Sequence, residues 1–503
     1  MEIAGRSASL RQVLAYRTCD RVSGWLILFM VVFSPWAFGT TQPWAIWTMN
    51  VTGYVLGALL LFKLWLRFRR GYRPARWNEH AAGFATGSLR ASRFAVTGLA
   101  ILTVAILAYC LIAGLNARST YDGGQQIFVY HEHLSWLPHS YDRARTWQVF
   151  FNLLALAFFF WATRDWLLGL TPDEERSNRA SASDPAHRQP MPARWRCLLW
   201  VLCLNGALLG AQGIAQRLSG TNKLLWFQET RLNKTADAQF GPYAYRSNAA
   251  QYFGLAWPAG LALWWLLRRE ARRKRETDAG FHPPRHHWLL PCVGVMAACP
   301  IMSLSRAGAL VTMGMIFVAS IILLVAWRRR HASVKFGVVL FFALTFALGA
   351  YFGWDAFSER MEHFDEGLEL REKMYETARG MARDYPLFGT GPGTFDPVFQ
   401  LYRSSTDEYW PAQLHNDWLE TQITFGWLGS GLIGAALLIV VVRWFLPGSV
   451  EVRWPVPALL WLSLAGCLVH ARYDFPFQVY SLQLLFLLIC VVLLCLSRKS
   501  PAV

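Results

Sequence analysis

The chain has 503 residues, 54% of them hydrophobic, 15% aromatic and only 16% charged, with a formal net charge of +17. A soluble domain carries about 25% charged residues, so this composition excludes an ordinary soluble fold and points to lipid as the solvent. The positive charge sits in short runs between apolar stretches, as basic loops retained on the cytoplasmic side of a membrane do, and so it does not indicate nucleic acid.

Apolar runs of about 18 or more residues read as spanning helices. In chain order they fall near 22–40, 43–64, 94–115, 147–163, 196–215, 249–267, 287–304, 307–327, 335–353, 419–442, 454–470 and 476–496. The expected fold class is all-α: a polytopic membrane protein of about twelve transmembrane helices with a large, partly helical periplasmic loop. The first run follows Arg6, Arg11, Arg17 and Arg21 as in a signal peptide, but it is too long for an h-region and reads as an uncleaved anchor. The seventh and eighth runs meet at Arg306 with almost no linker, which predicts a tight hairpin. Orientation follows from Lys and Arg. With the N-terminus inside, about two-thirds of them fall on the inner side, including Arg67-Phe68-Arg69-Arg70, Arg272-Arg273-Lys274-Arg275 and Arg328-Arg329-Arg330. Both termini are therefore expected in the cytoplasm. Three regions are expected: N-terminal helices over 1–210, a core over 211–475 that includes loop 354–418, and a last helix and tail over 476–503.

The inner loops look like connectors. Loop 171–195 is rich in Pro, Ser, Ala and Arg and reads as flexible, and loop 268–286 is short and basic. Neither holds a phosphate-cradling glycine loop, so nucleotide is not the expected energy source. The outer side differs. Loops 116–146, 216–248 and 354–418 lie there. The last begins with a helical pattern from Phe357 to Arg383, in which Met361, Phe364, Leu368, Met374, Ala378 and Met381 recur at near-helical spacing. The turn Gly389-Thr390-Gly391-Pro392-Gly393 ends it. The nine cysteines avoid the outer loops and read as small apolar packers rather than a disulfide framework. No CxxC or His-rich cluster suggests a metal, and no cofactor is expected.

Chemistry is therefore expected on the outer face. His415 opens His415-Asn416-Asp417-Trp418-Leu419-Glu420 just before a span. It reads either as a hydrogen-bonded interfacial residue or as a general base, since imidazole titrates near neutrality. Asn416, Asp417 and Glu420 are its supporting polar neighbours. Arg306, in Ser303-Leu304-Ser305-Arg306-Ala307-Gly308, is a charge pressed between two apolar runs. It either reaches up to headgroup phosphates or binds a substrate phosphate with its planar fork. Arg246, at the edge of another span, reads as an interfacial residue or as the second half of a pyrophosphate clamp. Arg379 and Arg383 lie on the outer helix near Glu372 and Glu376, where solvated ion pairing is the simplest reading. His470, Arg472 and Asp474 form a polar cluster at the end of the eleventh span, either an interfacial cap or the edge of a site.

Taken together, these strings resemble the O-antigen ligase and polymerase superfamily of bacterial envelope glycosyltransferases, over roughly residues 210–475. The His-Asn-Asp-x-Leu-Glu string at 415–420 after a long outer loop is the most specific mark. Gly389–Gly393 with Phe395, Ser305-Arg306-Ala307-Gly308, Arg246-Ser247-Asn248 with Ala250, and His470 to Phe475 complete the resemblance, in order and on one face. Ser247 and Ala249 depart from the pattern, where many relatives carry asparagine and a bulkier residue. The first half of the chain carries no matching motif. The resemblance implies a bacterial inner-membrane enzyme with a periplasmic active site. Such an enzyme takes a glycan from undecaprenyl pyrophosphate and passes it to an acceptor hydroxyl on a glycan or on lipid A-core. His415 would be the base, and Arg306 and Arg246 would hold the pyrophosphate. Gly391, Arg379, His470 and Asp474, together with Asn416, Asp417 and Glu420, are candidate supports. The chemistry is consistent with this reading: an activated donor needs neither nucleotide nor metal, arginines can stabilise charge on the leaving group, and a base contributes about 10²- to 10⁴-fold in rate. Direct displacement would invert the anomeric centre.

Two other classes compete. A transporter of polysaccharide or lipid-linked glycan fits the span count, but the spans lack the buried acidic residues that ion-coupled carriers usually need, and paired broken helices are not evident. A scaffold in an export complex would tolerate substitution of His415, whereas an enzyme would not. Ligase and polymerase share the motifs quoted.

Overall fold

A computed structural model describes residues 9–77, 86–180, 191–230, 233–277, 285–327, 340, 342–344, 347, 351, 364–403, 412–446 and 450–498. The chain is mostly helical. Its helices are α1 Leu10–Trp36, α2 Pro43–Arg70, α3 Thr86–Leu115, α4 Arg143–Leu167, α5 Pro172–Ala180, α6 Ala193–Leu218, α7 Arg246–Thr277, α8 Leu289–Met302, α9 Arg306–Ala326, α10 Phe364–Asp384, α11 Phe395–Phe399, α12 Asp417–Val442, α13 Pro455–His470 and α14 Tyr480–Cys495. Two small sheets accompany them, an antiparallel pair β1 Ser119–Asp122 and β2 Ile127–Tyr130, and a parallel pair β3 Val450–Val452 and β4 Leu496–Arg498.

Among the described residues, six helices are long and apolar enough to cross a membrane, covering Pro43–Arg70, Arg93–Leu115, Arg143–Leu167, Ala193–Leu218, Arg306–Ala326 and Asp417–Phe445, and three shorter apolar helices cover His286–Met302, Pro455–His470 and Tyr480–Cys495. Each expected span except 335–353 coincides with a described helix. The 335–353 span lies mostly outside the described residues; 340, 342–344, 347 and 351 within it are helical. The expected hairpin is present: α8 stops at Met302 and α9 starts at Arg306, with Ser303, Leu304 and Ser305 between them. Ser305 caps α9 by accepting from the Gly308 N–H at 3.1 Å.

The core is built around α14, whose residues are buried on nearly every side, as an all-round apolar helix requires. α7 packs against α8 and α13, α9 against α13, and α2 against α4. Gly308 explains the closeness of α7 and α9, since a Cβ there would come within 2.5 Å of the Ala250 Cβ. A second, smaller core lies under α10. It gathers Tyr141, Tyr375, Ala378, Met381, Phe395 and Leu414. Ala378 and Met381 thus face inward as the periodicity predicts, while Phe357 and Met361 lie outside the described residues.

Two expectations need correction. Loop 171–195, expected to be flexible, holds a helix over part of its length: α5 occupies it, and its Glu174 accepts from the backbone of Thr171 at 2.8 Å and of Ala193 at 2.6 Å. Residues 181–190 of that loop lie outside the described set. Nor do the helices lack buried acidic residues. Asp20 in α1 and Asp165 in α4 are buried with the fully enclosed Lys63, whose Nζ lies 3.1 Å and 2.8 Å from their carboxylates. Arg67 and Arg76 reach Asp165 at 2.7 Å and 2.8 Å, and Arg194 reaches Asp20 at 2.5 Å. The apolar runs did not reveal this network because its acids lie just outside them, Asp20 two residues before 22–40 and Asp165 two residues after 147–163. Each acid is matched by cations, the arrangement that makes a buried carboxylate tolerable. The nine cysteines are unpaired and six of them are buried.

Candidate functional site

The site forms where the ends of α7, α9, α12 and α13 meet the outer helix α10. Its centre is His415, held in the left-handed region at φ 57°. That conformation is unfavourable for a residue with a Cβ and persists only when the surroundings enforce it. They do so from both sides. The Leu414 N–H donates to Glu420 Oε2 at 2.8 Å, and the Tyr375 hydroxyl donates to the His415 carbonyl at 2.9 Å. Asn416 then starts α12, its side chain accepting from the Leu419 N–H at 3.3 Å.

The other polar residues of the string are buried and turned away from solvent. Asp417 accepts from the Phe477 N–H at 2.6 Å and from the Gln478 amide at 3.2 Å, while its own N–H donates to the Ala471 carbonyl at 2.8 Å. It therefore fastens the start of α12 to segment 471–478. That segment carries Asp474, 1% exposed. The His415 Nδ1–H donates to Asp474 Oδ1 at 3.2 Å. With Nδ1 so engaged, Nε2 carries the lone pair. The imidazole keeps about a quarter of its surface open, so it is the part of the pair that can meet a ligand.

Asp474 is the electrostatic hub. Burial alone would push its pKa up, but the hydrogen bond and charge of His415, then His470 and Arg371, outweigh burial and hold it below the usual carboxylate range. The Tyr245 hydroxyl donates to Asp474 Oδ2 at 3.4 Å, and its ring stacks on Phe475 with centroids 5.3 Å apart. Burial pushes the Tyr245 phenol well up, so it stays a neutral donor. His415 packs edge-on against Phe475 at 4.8 Å and against Tyr245 at 6.0 Å. His470 is buried, with Nε2 4.0 Å from Asp474 Oδ2. Behind it lies a narrow crevice bounded by Gln251, Gly254, Gly308, Thr312 and Gly466.

The cations come from three elements. Arg246 begins α7 and bridges to Asp237, its Nη1 donating to the carbonyl at 3.0 Å and to the carboxylate at 3.3 Å. Arg306 begins α9, half-exposed at the hairpin tip. The two helix starts are tied by the Ser247 and Ser305 hydroxyls, 3.0 Å apart. Arg217, near the end of α6, ties the same region by donating to the carbonyls of Ala236, Gln239 and Ser303 at 2.7, 2.7 and 3.3 Å. The third cation is Arg371 of α10, whose Nη1 donates to the Tyr473 carbonyl at 2.8 Å. Arg306 feels the repulsion of both Arg246 and Arg371.

Of the residues singled out from sequence, the fold brings together His415, Asp474, His470, Arg246 and Arg306, with Asn416, Asp417 and Glu420 behind them. Arg379 stands two turns beyond Arg371 on an exposed part of α10, and Lys373 with Glu369 is that helix's ion pair among the described residues. Gly391 belongs to a different device. α12 is broken at Gly426, φ 61°, and segment 386–391 enters the break: Thr390 and Gly391 donate to the carbonyls of Ile423 and Thr424 at 2.8 and 3.0 Å. The glycine turn thus satisfies backbone groups that a broken helix leaves open. Arg371, Tyr375, Tyr245 and Arg217 escaped the sequence reading. Arg371 and Tyr375 are one helical turn apart, a spacing that marks a shared face but not which face meets the site.

Residues 291–434 match the family model described as O-antigen ligase. No curated relative matches the chain. The matched segment contains Arg306, Arg371, the glycine turn and the whole string from His415 to Glu420, and it stops short of Asp474 on one side and Arg246 on the other. The match covers less than a third of the chain, and the motifs it encloses support a likeness to the O-antigen ligase and polymerase superfamily.

Proposed function

We propose that this protein is an inner-membrane glycosyltransferase of about twelve spans, with both termini cytoplasmic and its site at the periplasmic face. It moves a glycan from undecaprenyl pyrophosphate to an acceptor hydroxyl on a glycan or on lipid A-core, by an inverting and metal-independent displacement. The observation that carries this reading is the His415–Asp474 pair beside Arg246 and Arg306. The acceptor O–H gives its proton to His415 Nε2 as the oxygen attacks the anomeric carbon. The bond to the pyrophosphate oxygen breaks on the opposite face, and the charge that develops there is met by the guanidiniums of Arg306 and Arg246. Asp474 holds the ring in the tautomer that leaves Nε2 free and stabilises the imidazolium that forms.

The ion-paired state of Asp20 and Asp165 disfavours a proton-coupled carrier, because neither carboxylate is placed to load and release a proton without breaking several ion pairs. The test is transfer by purified protein from an α-linked lipid-pyrophosphate oligosaccharide, with the product linkage read by NMR and a chelator present throughout. A β-linked product supports the proposal. Retention of configuration, or activity that returns only with added divalent metal, contradicts it. Glycans of a deletion strain separate the two acceptors: polymerase loss leaves single capped units, ligase loss leaves polymer on the carrier.

A further inference from the structure

The outer helix α10 is fastened to the site at two points one turn apart. Arg371 holds the Tyr473 carbonyl, next to Asp474, and Tyr375 holds the His415 carbonyl. The Arg472 guanidinium lies over the Tyr375 ring at 5.8 Å and adds a third contact on the same side of the helix. One Arg371 nitrogen is used on Tyr473. A guanidinium has five N–H donors in a planar fork, so the others remain for an oxyanion. Arg371 is also the cation whose charge reaches Arg246, Arg306, Asp474 and His470 alike. Three guanidiniums contributed by α7, α9 and α10 repel one another, and a multiply charged anion among them removes that repulsion.

We propose that Arg371 is a third oxyanion-binding residue of the site, and that a bound pyrophosphate fastens α10 over His415 through it. This rests on the donor reading given above and adds to it a coupling between donor occupancy and the outer helix. By that coupling the lipid-linked donor, once seated, completes the enclosure of His415, and the acceptor meets a closed and desolvated base only when a donor is present. Reciprocity then requires that whatever loosens α10 also weakens donor binding.

The experiment uses the full-length protein in nanodiscs. It measures the affinity of undecaprenyl pyrophosphate, the affinity of inorganic pyrophosphate, and hydrogen exchange over 371–384, for the wild type, Arg371→Gln, Arg371→Lys and Arg383→Gln. For the wild type, lipid pyrophosphate should slow exchange of α10. Arg371→Gln should weaken lipid binding at least about 10-fold, the loss of a charge-assisted hydrogen bond, and should abolish the slowing. Arg371→Lys should recover part of both, and Arg383→Gln should match the wild type. Competition by inorganic pyrophosphate assigns recognition to the phosphates. Its failure to bind, with lipid binding intact and insensitive to Arg371, overturns the inference. So does an Arg371→Gln protein that turns over slowly while its donor affinity and α10 protection remain those of the wild type, since Arg371 then only holds Tyr473. If the wild type binds no lipid pyrophosphate at all, it is the donor reading itself that fails.

Discussion

His415 and Asp474 are 59 positions apart in sequence, and each makes sense only with the other. The imidazole needs its Nδ1 occupied so that Nε2 presents a lone pair, and the carboxylate needs the imidazole N–H as a donor, with Arg371 as a nearby cation, to stay ionised under near-complete burial. Replacing Asp474 by Asn keeps the shape but can favour the wrong tautomer, so kcat should fall about 10²- to 10⁴-fold with donor affinity little changed. The sign of the pH effect follows from the depressed carboxyl. Asp474 is ionised, and its pairing is intact, above the ordinary carboxylate range, and that contribution is lost only as pH falls through its lowered folded value. An acid limb between pH 8 and pH 5 therefore does not belong to Asp474. Asp474→Asn should slow transfer throughout that window, and an unchanged rate would dissociate the pair from catalysis. Arg306→Ala should remove most activity, and Arg306→Lys should restore only part, because an ammonium cannot reproduce the bidentate fork.

At the scale of elements, the site depends on where helices start and where one breaks. Gly389 and Gly426 both have positive φ, at 67° and 61°, and a Cβ on Gly389 would come within 2.6 Å of the Gly426 backbone. Gly426→Ala should destabilise by at least about 1–2 kcal/mol from backbone conformation alone, and more from collision with Leu387. It should show as a lowered melting temperature in detergent, and an unchanged one would contradict the description of the break. Gly308→Val is a subtler lesion. It should push α9 off Ala250 and displace Arg306, lowering transfer while the protein still inserts. Much of this was legible in the sequence where one residue carries the signal: apolar length gave the helices, and the Ser-Arg-Ala-Gly string gave the hairpin, whose capping serine and close-packed glycine have local physical reasons. Gly391 was legible as a turn but not as a plug for a helix break, because the partner carbonyls of Ile423 and Thr424 lie more than thirty residues on. Arg371 was invisible for a related reason. A charged, amphipathic outer helix offers several arginines, and only tertiary contact selects the one that reaches Tyr473.

At the scale of the whole molecule, two charge distributions do separate jobs. Lys63, Arg67, Arg76 and Arg194 neutralise Asp20 and Asp165 and lock α1, α2, α4 and α6 together at one end of the bundle. Arg246, Arg306 and Arg371 gather with His415 at a site formed from other helix ends. The proposed orientation rests on the basic loops. Reporter fusions at Asn222 and Asp407 should report the periplasm, and one at Asp278 the cytoplasm; a cytoplasmic signal at Asp407 would remove the proposed site from its donor. The role of His415 as general base is tested by single-turnover transfer with purified His415→Ala and His415→Gln alongside the wild type, with donor affinity measured on the same preparations. Both variants should bind lipid-linked donor within a few-fold of the wild type and transfer nothing measurable, Gln failing like Ala because an amide cannot take the proton. Substantial transfer by His415→Ala at wild-type donor occupancy would show that the base lies elsewhere.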